Sequence, residues 1–191
     1  MSHSQLVERD ARFVADAIKI RYSPFVAASG EGAYLIDEDG KRYIDFGASW
    51  AAAGLGYSNT HVKEAVAAQM DKATMAGLLS SINRPAVDLA ERLVALVPGE
   101  IEKKAWFGLA GSDAAEAAQR MILRATGRPR IVSFVGGWHG TTDATMAMSA
   151  HPSLGGVLGG GHVTKIPYPN PYRDPFGGDG SDLVDRCLSY L

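Results

Sequence analysis

The sequence predicts an α/β domain with a largely parallel or mixed sheet. Three observations carry that reading. Strand-like and helical patterns alternate from Ala105 to Ser149. Earlier in the chain, two strand-like runs are joined by an Asp-Gly turn. Apolar residues make up 46% of the 191 positions against 21% charged, enough to bury a sizeable core and exclude a disordered chain.

Arg9 to Lys19 reads as a helix with Phe13, Ala17 and Ile20 on one stripe, ended by Ser23-Pro24. Ala33–Asp37 and Arg42–Phe46 read as strands, with Asp39-Gly40 as the hairpin signal between them. Gly47 to Tyr57 is a stretch of small residues around one large side chain, Trp50. Asn59 or Thr60 caps a helix running to about Ala73, with Val62, Val66, Met70 and Ala73 inward. Pro85 starts another, with Ala86, Leu89, Leu93 and Leu96 or Val97 inward, closed by Pro98-Gly99.

The alternation then sets in. Ala105–Leu109 is expected as a strand and Asp113–Thr126 as a helix stopped by Gly127. Ile131–Val135 follows as a buried strand, and Thr142–Ser149 as a short helix. The Gly155–Gly161 cluster reads as a loop. Ser181 is expected to cap a last helix carrying Leu183, Val184, Cys187, Leu188 and Leu191. That helix has no stop signal before the sequence ends, which leads to the expectation of a truncated chain.

Charge and cysteine content narrow the function. Lys plus Arg is 19, Asp plus Glu is 21, and the signs are mixed along the chain. A nucleic-acid or membrane-surface protein would concentrate basic residues on one face. Met1 to Asp10 lacks the apolar core of a signal peptide, and no apolar run is long enough to span a bilayer. Cys187 is the single cysteine, which fits a reducing cytoplasm; no metal site is expected.

The segment Trp106-Phe107-Gly108-Leu109-Ala110-Gly111-Ser112-Asp113-Ala114 places Gly-Ser between an expected strand and a helix. The first-turn amides of a helix lack intrahelical acceptors, and the helix dipole adds partial positive charge there. Gly111 would let a ligand approach the backbone and Ser112 would add a hydroxyl, so a phosphate could be held without a cation. An ordinary serine N-cap is the alternative. In Val135-Gly136-Gly137-Trp138-His139-Gly140-Thr141-Thr142 a strand end opens into glycines and presents an indole at the C-terminal edge of a sheet, where open α/β sheets bind ligands. Trp138 could stack on a flat heteroaromatic ring or anchor the loop. His139 could brace that loop or transfer protons. Trp50 could wall a pocket or fill a core gap.

Taken together these segments resemble the class III aminotransferases, which are fold type I pyridoxal-phosphate enzymes. Gly30 to Tyr43, continuing as Ile44-Asp45-Phe46, is similar to the family's G-x-G-x-x-L-x-D-x-D-G-x-x-Y hairpin. Gly111-Ser112-Asp113-Ala114-Ala115-Glu116-Ala117-Ala118 is similar to its phosphate segment, and Trp138-His139-Gly140 stands where it has aromatic-His-Gly. The run ends near Pro167-Tyr168-Pro169-Asn170-Pro171-Tyr172-Arg173. Within the family the α-amino-ε-caprolactam racemase-like subgroup is closest, on Ala48 to Tyr57, Trp106-Phe107-Gly108 and Ala125-Thr126-Gly127-Arg128. Gly56-Tyr57-Ser58-Asn59-Thr60-His61 departs from the usual G-H-x-H-P.

The resemblance implies residues 1–50 as an N-terminal segment of a small domain and residues 51–191 as the first part of a large mixed-sheet cofactor domain. It implies pyridoxal 5'-phosphate as cofactor, with Gly111 and Ser112 on its phosphate, Trp138 on its ring, and His139 beside them. Trp50 would line the pocket of a small amine or amino-acid substrate. The complete enzyme would be a homodimer. Members run to about twice this length, and the lysine that binds the cofactor lies later in their chain. None of Lys19, Lys41, Lys63, Lys72, Lys103, Lys104 or Lys165 stands at a matching position, so no catalytic residue is expected in this chain. Three outcomes remain open: amino transfer to a 2-oxo acid, amino-acid or amino-amide racemisation, and a catalytically incomplete fragment.

Overall fold

A three-stranded antiparallel meander, β1 (Ala27–Glu31), β2 (Tyr34–Asp37) and β3 (Arg42–Ile44), organises the first half of the computed structural model. The structure describes residues 3–16, 19–72, 77–151, 161–178 and 180–190. They divide into two units, Met1–Ala95 and Leu96–Leu191.

In the first unit the β2–β3 hairpin forms as the Asp39-Gly40 signal predicts. Tyr34 pairs with Ile44 and Ile36 with Arg42. Gly40 takes φ 81°, and Asp37 Oδ1 accepts the amides of Asp39 at 3.0 Å and Lys41 at 2.8 Å. β1 is not visible in the pattern, because Ala-Ala-Ser-Gly-Glu has no β-branched or aromatic residue. The predicted Arg9–Lys19 helix is corrected: α1 spans His3–Phe13. Past it, Lys19 (3.3 Å) and Arg21 both pair with Asp10, turning the chain back. Of the expected stripe, Ala17 lies outside the described residues.

A single turn, α2 (Ala48–Ala51), precedes α3 (Thr60–Met70) and α4 (Arg84–Leu96). Asn59 caps α3 through its side-chain oxygen, which accepts the Val62 amide at 3.2 Å. The inward faces expected on these helices are corrected by the structure. Val62, Val66 and Met70 are exposed, as are Leu89 and Leu93, and no described residue of α1 to α4 is buried. An amphipathic stripe is buried only when another apolar surface meets it, and the described residues of this unit supply none for them. Ala73 is outside the described residues.

The second unit holds every buried residue among those described. Its parallel pair is β4 (Ile131–Phe134) with β5 (Val163–Ile166), in register from Ile131 opposite Val163 to Phe134 opposite Ile166. α5 (Gly111–Thr126) ends where the sequence requires, with Gly127 at φ 64° returning its amide to Leu123. α6 (Asp143–Met148) and α7 (Leu183–Ser189) complete the unit. Ala117, Ala147, Met148, Ile166, Leu183 and Cys187 form its small core.

Three expectations fail here. Ala105–Leu109 is not a strand; it pairs with no described strand. β4 is largely exposed, with only Ser133 buried; among the described residues it pairs with β5 and meets α6. Asp182 and not Ser181 stands at the N-cap of α7, its carboxylate paired with Arg186 Nε at 2.7 Å. Of the 155–161 glycine cluster only Gly161 is described. No described helix is long and apolar enough to cross a membrane.

Candidate functional site

The Gly-Ser turn opens α5. Ala110 is extended (φ −155°, ψ 168°), and the first backbone bond of the helix runs from Ala114 N–H to Ala110 O at 3.0 Å. The amides of Gly111, Ser112 and Asp113 therefore lie ahead of the ladder. Gly111 is exposed, and a Cβ built on it meets nothing within 4 Å. Asp113, in the same turn, commits Oδ2 to the Leu109 amide at 3.0 Å. Gly108 permits this close approach: a Cβ there would lie 2.8 Å from Asp113 Oδ2 and 2.7 Å from the Trp106 ring.

The segment after β4 returns to this turn. Thr141 N–H donates to Ser112 Oγ at 3.0 Å. With its oxygen held as acceptor, the Ser112 hydroxyl keeps its proton for another partner. The contact depends on glycine: at Gly140 an added Cβ would fall 2.5 Å from Ser112 Oγ, 2.8 Å from Ser112 Cα and 2.7 Å from Thr145 Oγ1, and its φ is 137°. Thus Gly111, Ser112 and the Gly140-Thr141 backbone form one small cradle.

Buried hydroxyls fix the loop behind it. Thr145 Oγ1 accepts the Thr142 amide at 3.1 Å, at the start of α6. Ser149 Oγ accepts the His139 amide at 2.9 Å and donates to Thr145 O at 2.8 Å. Lys165 Nζ, from β5, donates to the Ser149 carbonyl. Both Thr145 and Ser149 are almost fully buried, so their satisfied hydrogen bonds rigidify the segment. Trp138 is 43% exposed, and its ring and that of His151 lie nearly perpendicular with centroids 5.7 Å apart. The His139 ring folds back toward Gly137, where an added Cβ would lie 3.2 Å from Nε2.

Trp50 belongs to the first unit. It is 68% exposed, and its ring lies 6.4 Å from that of Tyr22. Asp45, just ahead of it, is held below the usual carboxylate range, chiefly by the Tyr57 hydroxyl hydrogen bond.

The sequence reading missed Thr141, Thr145 and Ser149 as parts of the cradle, and gave no reason for Gly140. The Thr142-x-x-Thr145 spacing, a threonine variant of the capping box, was the available signal.

An open helix N-terminus, a glycine with free space over it and a hydroxyl with an uncommitted proton suit a phosphate, and the fold suits an α/β cofactor protein. The class III aminotransferase family model matches residues 17–191, and the chain belongs to that family. It is 33% identical over 196 residues to an alanine/serine racemase of Pyrococcus horikoshii, covering 98% of this chain and 41% of that protein. It is 36% identical over 166 residues to a probable 4-aminobutyrate aminotransferase of Bacillus subtilis, covering 85% and 38%. The crystal structure of the omega transaminase from Pseudomonas jessenii in complex with PMP has a TM-score of 0.83 at 26% identity, covering 97% of this chain and 45% of that one. A transaminase solved with L-ala gives 0.81 at 28% identity, covering 96% and 44%. The fold is that of part of a fold type I pyridoxal-phosphate transaminase. The chain spans about two-fifths of the length of the curated relatives it matches.

Proposed function

We propose that the whole protein uses pyridoxal 5'-phosphate to move an amino group from an amine or amino acid to a 2-oxo acid. Bound, that cofactor supplies an electron sink for negative charge developing at the substrate's Cα. The residues of this chain supply grip and orientation. Gly111 and Ser112 hold the phosphate through first-turn amides and the Ser112 hydroxyl proton. Trp138 covers the ring face, and His139 stands beside it. Trp50 walls the substrate pocket. The observation that carries the reading is the approach of Gly140 to Ser112, with Thr141 N–H on Ser112 Oγ at 3.0 Å, which joins the phosphate turn to the segment bearing Trp138.

The proton-moving lysine lies outside these 191 residues in this reading. Lys165 supports it, because its ammonium is committed to the Ser149 carbonyl. The 191-residue chain alone is then inactive. The whole protein is a cytoplasmic homodimer, residues 1–50 serve its small domain, and residues 51–191 begin its large one. The test is cofactor affinity, followed by absorbance. Ser112→Ala and Trp138→Ala each weaken it about tenfold, the scale of one hydrogen bond or one stacked ring. Unchanged affinity in both variants would refute the site.

Racemisation is the second reading, favoured by the 33% identity to an alanine/serine racemase across 98% of this chain. With an amino acid and no oxo acid, a racemase abolishes optical rotation while the bound cofactor keeps its spectrum. A transaminase instead converts the cofactor to its amino form.

A further inference from the structure

Between Asp45 and Tyr57 the first unit holds a backbone that L-residues avoid. Ala48, Ser49, Trp50 and Ala51 have consecutive φ values of 45, 49, 61 and 64°, and ψ is 52° at Ser49 and 44° at Trp50. This is a full turn of left-handed helix without glycine, in which each Cβ crowds the following carbonyl oxygen. Such strain persists where surrounding groups over-determine it.

Three side chains do so. Asp45 Oδ1 accepts the Gly47 amide at 2.9 Å, and the amides of Ala48 and Ser49 also turn toward the carboxylate. The Tyr57 hydroxyl donates to Asp45 Oδ2. Ser49 Oγ lies 2.9 Å from the Tyr57 oxygen and, that proton being used, is the donor. Tyr57 is anchored in turn to the meander. Its amide donates to Gly32 O at 2.8 Å and its carbonyl accepts Gly32 N–H at 3.1 Å. Its ring occupies the space over Gly30, where a Cβ would fall 2.6 Å from Cγ. The turn is thus tied to the sheet from both ends, through the Tyr57 phenol and through Asp45, whose amide donates to Ala33 O at 2.9 Å. Beside it is a recess of about 480 Å³ lined by Trp50, Tyr22, Phe25, Leu35 and the hydrogen-bonded Asp45 and Ser49.

We propose that Asp45, Tyr57 and Ser49 are positioning residues that hold this turn so that Trp50 presents a fixed apolar wall, selecting amino substrates with uncharged, apolar side chains. This rests on the reading of Trp50 as a wall of the substrate pocket.

The experiment uses the whole protein with cofactor bound and compares Trp50→Ala, Tyr57→Phe, the double variant, and Tyr57→Phe combined with Ala51→Gly. KM and kcat are measured for L-leucine and L-alanine, with cofactor absorbance as a separate readout. Tyr57→Phe raises KM for L-leucine about fivefold to tenfold, the scale of the lost hydrogen bonds, with kcat and cofactor content nearly unchanged. L-Alanine responds less. The loss does not add to that of Trp50→Ala, and Ala51→Gly recovers part of it, since glycine takes positive φ without crowding. Ser49→Ala, which removes one bond and leaves the phenol in place, moves KM in the same direction. An unchanged KM in Trp50→Ala overturns both the pocket reading and the proposal. A changed KM there, with Tyr57→Phe inert or additive, overturns only the positioning role of Asp45, Tyr57 and Ser49.

Discussion

The turn around Trp50 and the turn around Ser112 solve the same problem in opposite ways. Both fix a short backbone segment. At Ser112 the chain uses glycine: Gly140 brings one loop against another with no Cβ between them, and buried Thr145 and Ser149 lock the result. At Trp50 the chain uses ordinary residues in a left-handed turn and restrains them with hydrogen bonds that are exposed or half-buried. The first arrangement sits in a unit with its own small core. The second sits in a unit where no described residue is buried. Rigidity in one comes from close packing over buried hydrogen bonds and in the other from a polar network outside any buried core, so the two should fail under different perturbations.

The largest effect is expected at Gly140. Gly140→Ala puts a Cβ 2.5 Å from Ser112 Oγ, at a φ of 137°. Overpacking and backbone strain together should cost about 2–4 kcal/mol, read as a fall in melting temperature and in cofactor affinity. A neutral substitution would break the contrast. Next comes Thr145→Val, which leaves the Thr142 amide without its partner. A loss of about 1–3 kcal/mol is expected by denaturant unfolding. The third change has the opposite sign. Ala51→Gly relieves a left-handed residue and should raise stability by up to about 1 kcal/mol, whereas glycine elsewhere in a helix destabilises. The smallest effect concerns pH. Asp45 titrates below its ordinary value of 3.8, so its folded form binds protons less readily than its unfolded form. The stability it contributes is present above pH 3.8 and is lost as pH falls through the lower folded value. Thermal melts between about pH 5 and pH 2 should show this, and Asp45→Asn should flatten that part of the profile.

The features that were legible in the sequence are those with local causes. Asp39-Gly40 specifies its hairpin, Asn59 its cap and Gly127 its helix stop without help from distant residues. The Gly-Ser and Trp-His-Gly segments were also readable, and so was the family. What could not be read depends on partners far along the chain. β1 has a composition that disfavours strands and exists because β2 lies beside it. Whether Val62 or Leu89 is buried depends on a second surface, which periodicity does not supply. The left-handed turn was hidden because nothing in Ala48-Ser49-Trp50-Ala51 asks for positive φ; its cause is Tyr57, held by the sheet. The Ser112–Gly140 contact joins residues nearly thirty positions apart.

α6 has one further consequence. At six residues it is too short to persist as an isolated helix. Thr142 ties down its front end, and the Lys165 ammonium meets the carbonyl at its back end, where the helix carries partial negative charge. Clamped at both ends, it acts as a ruler about 9 Å long between the indole-bearing loop and β5. Inserting one residue into it would twist one clamp by about 100° relative to the other, so length, more than composition, is what this small helix must conserve.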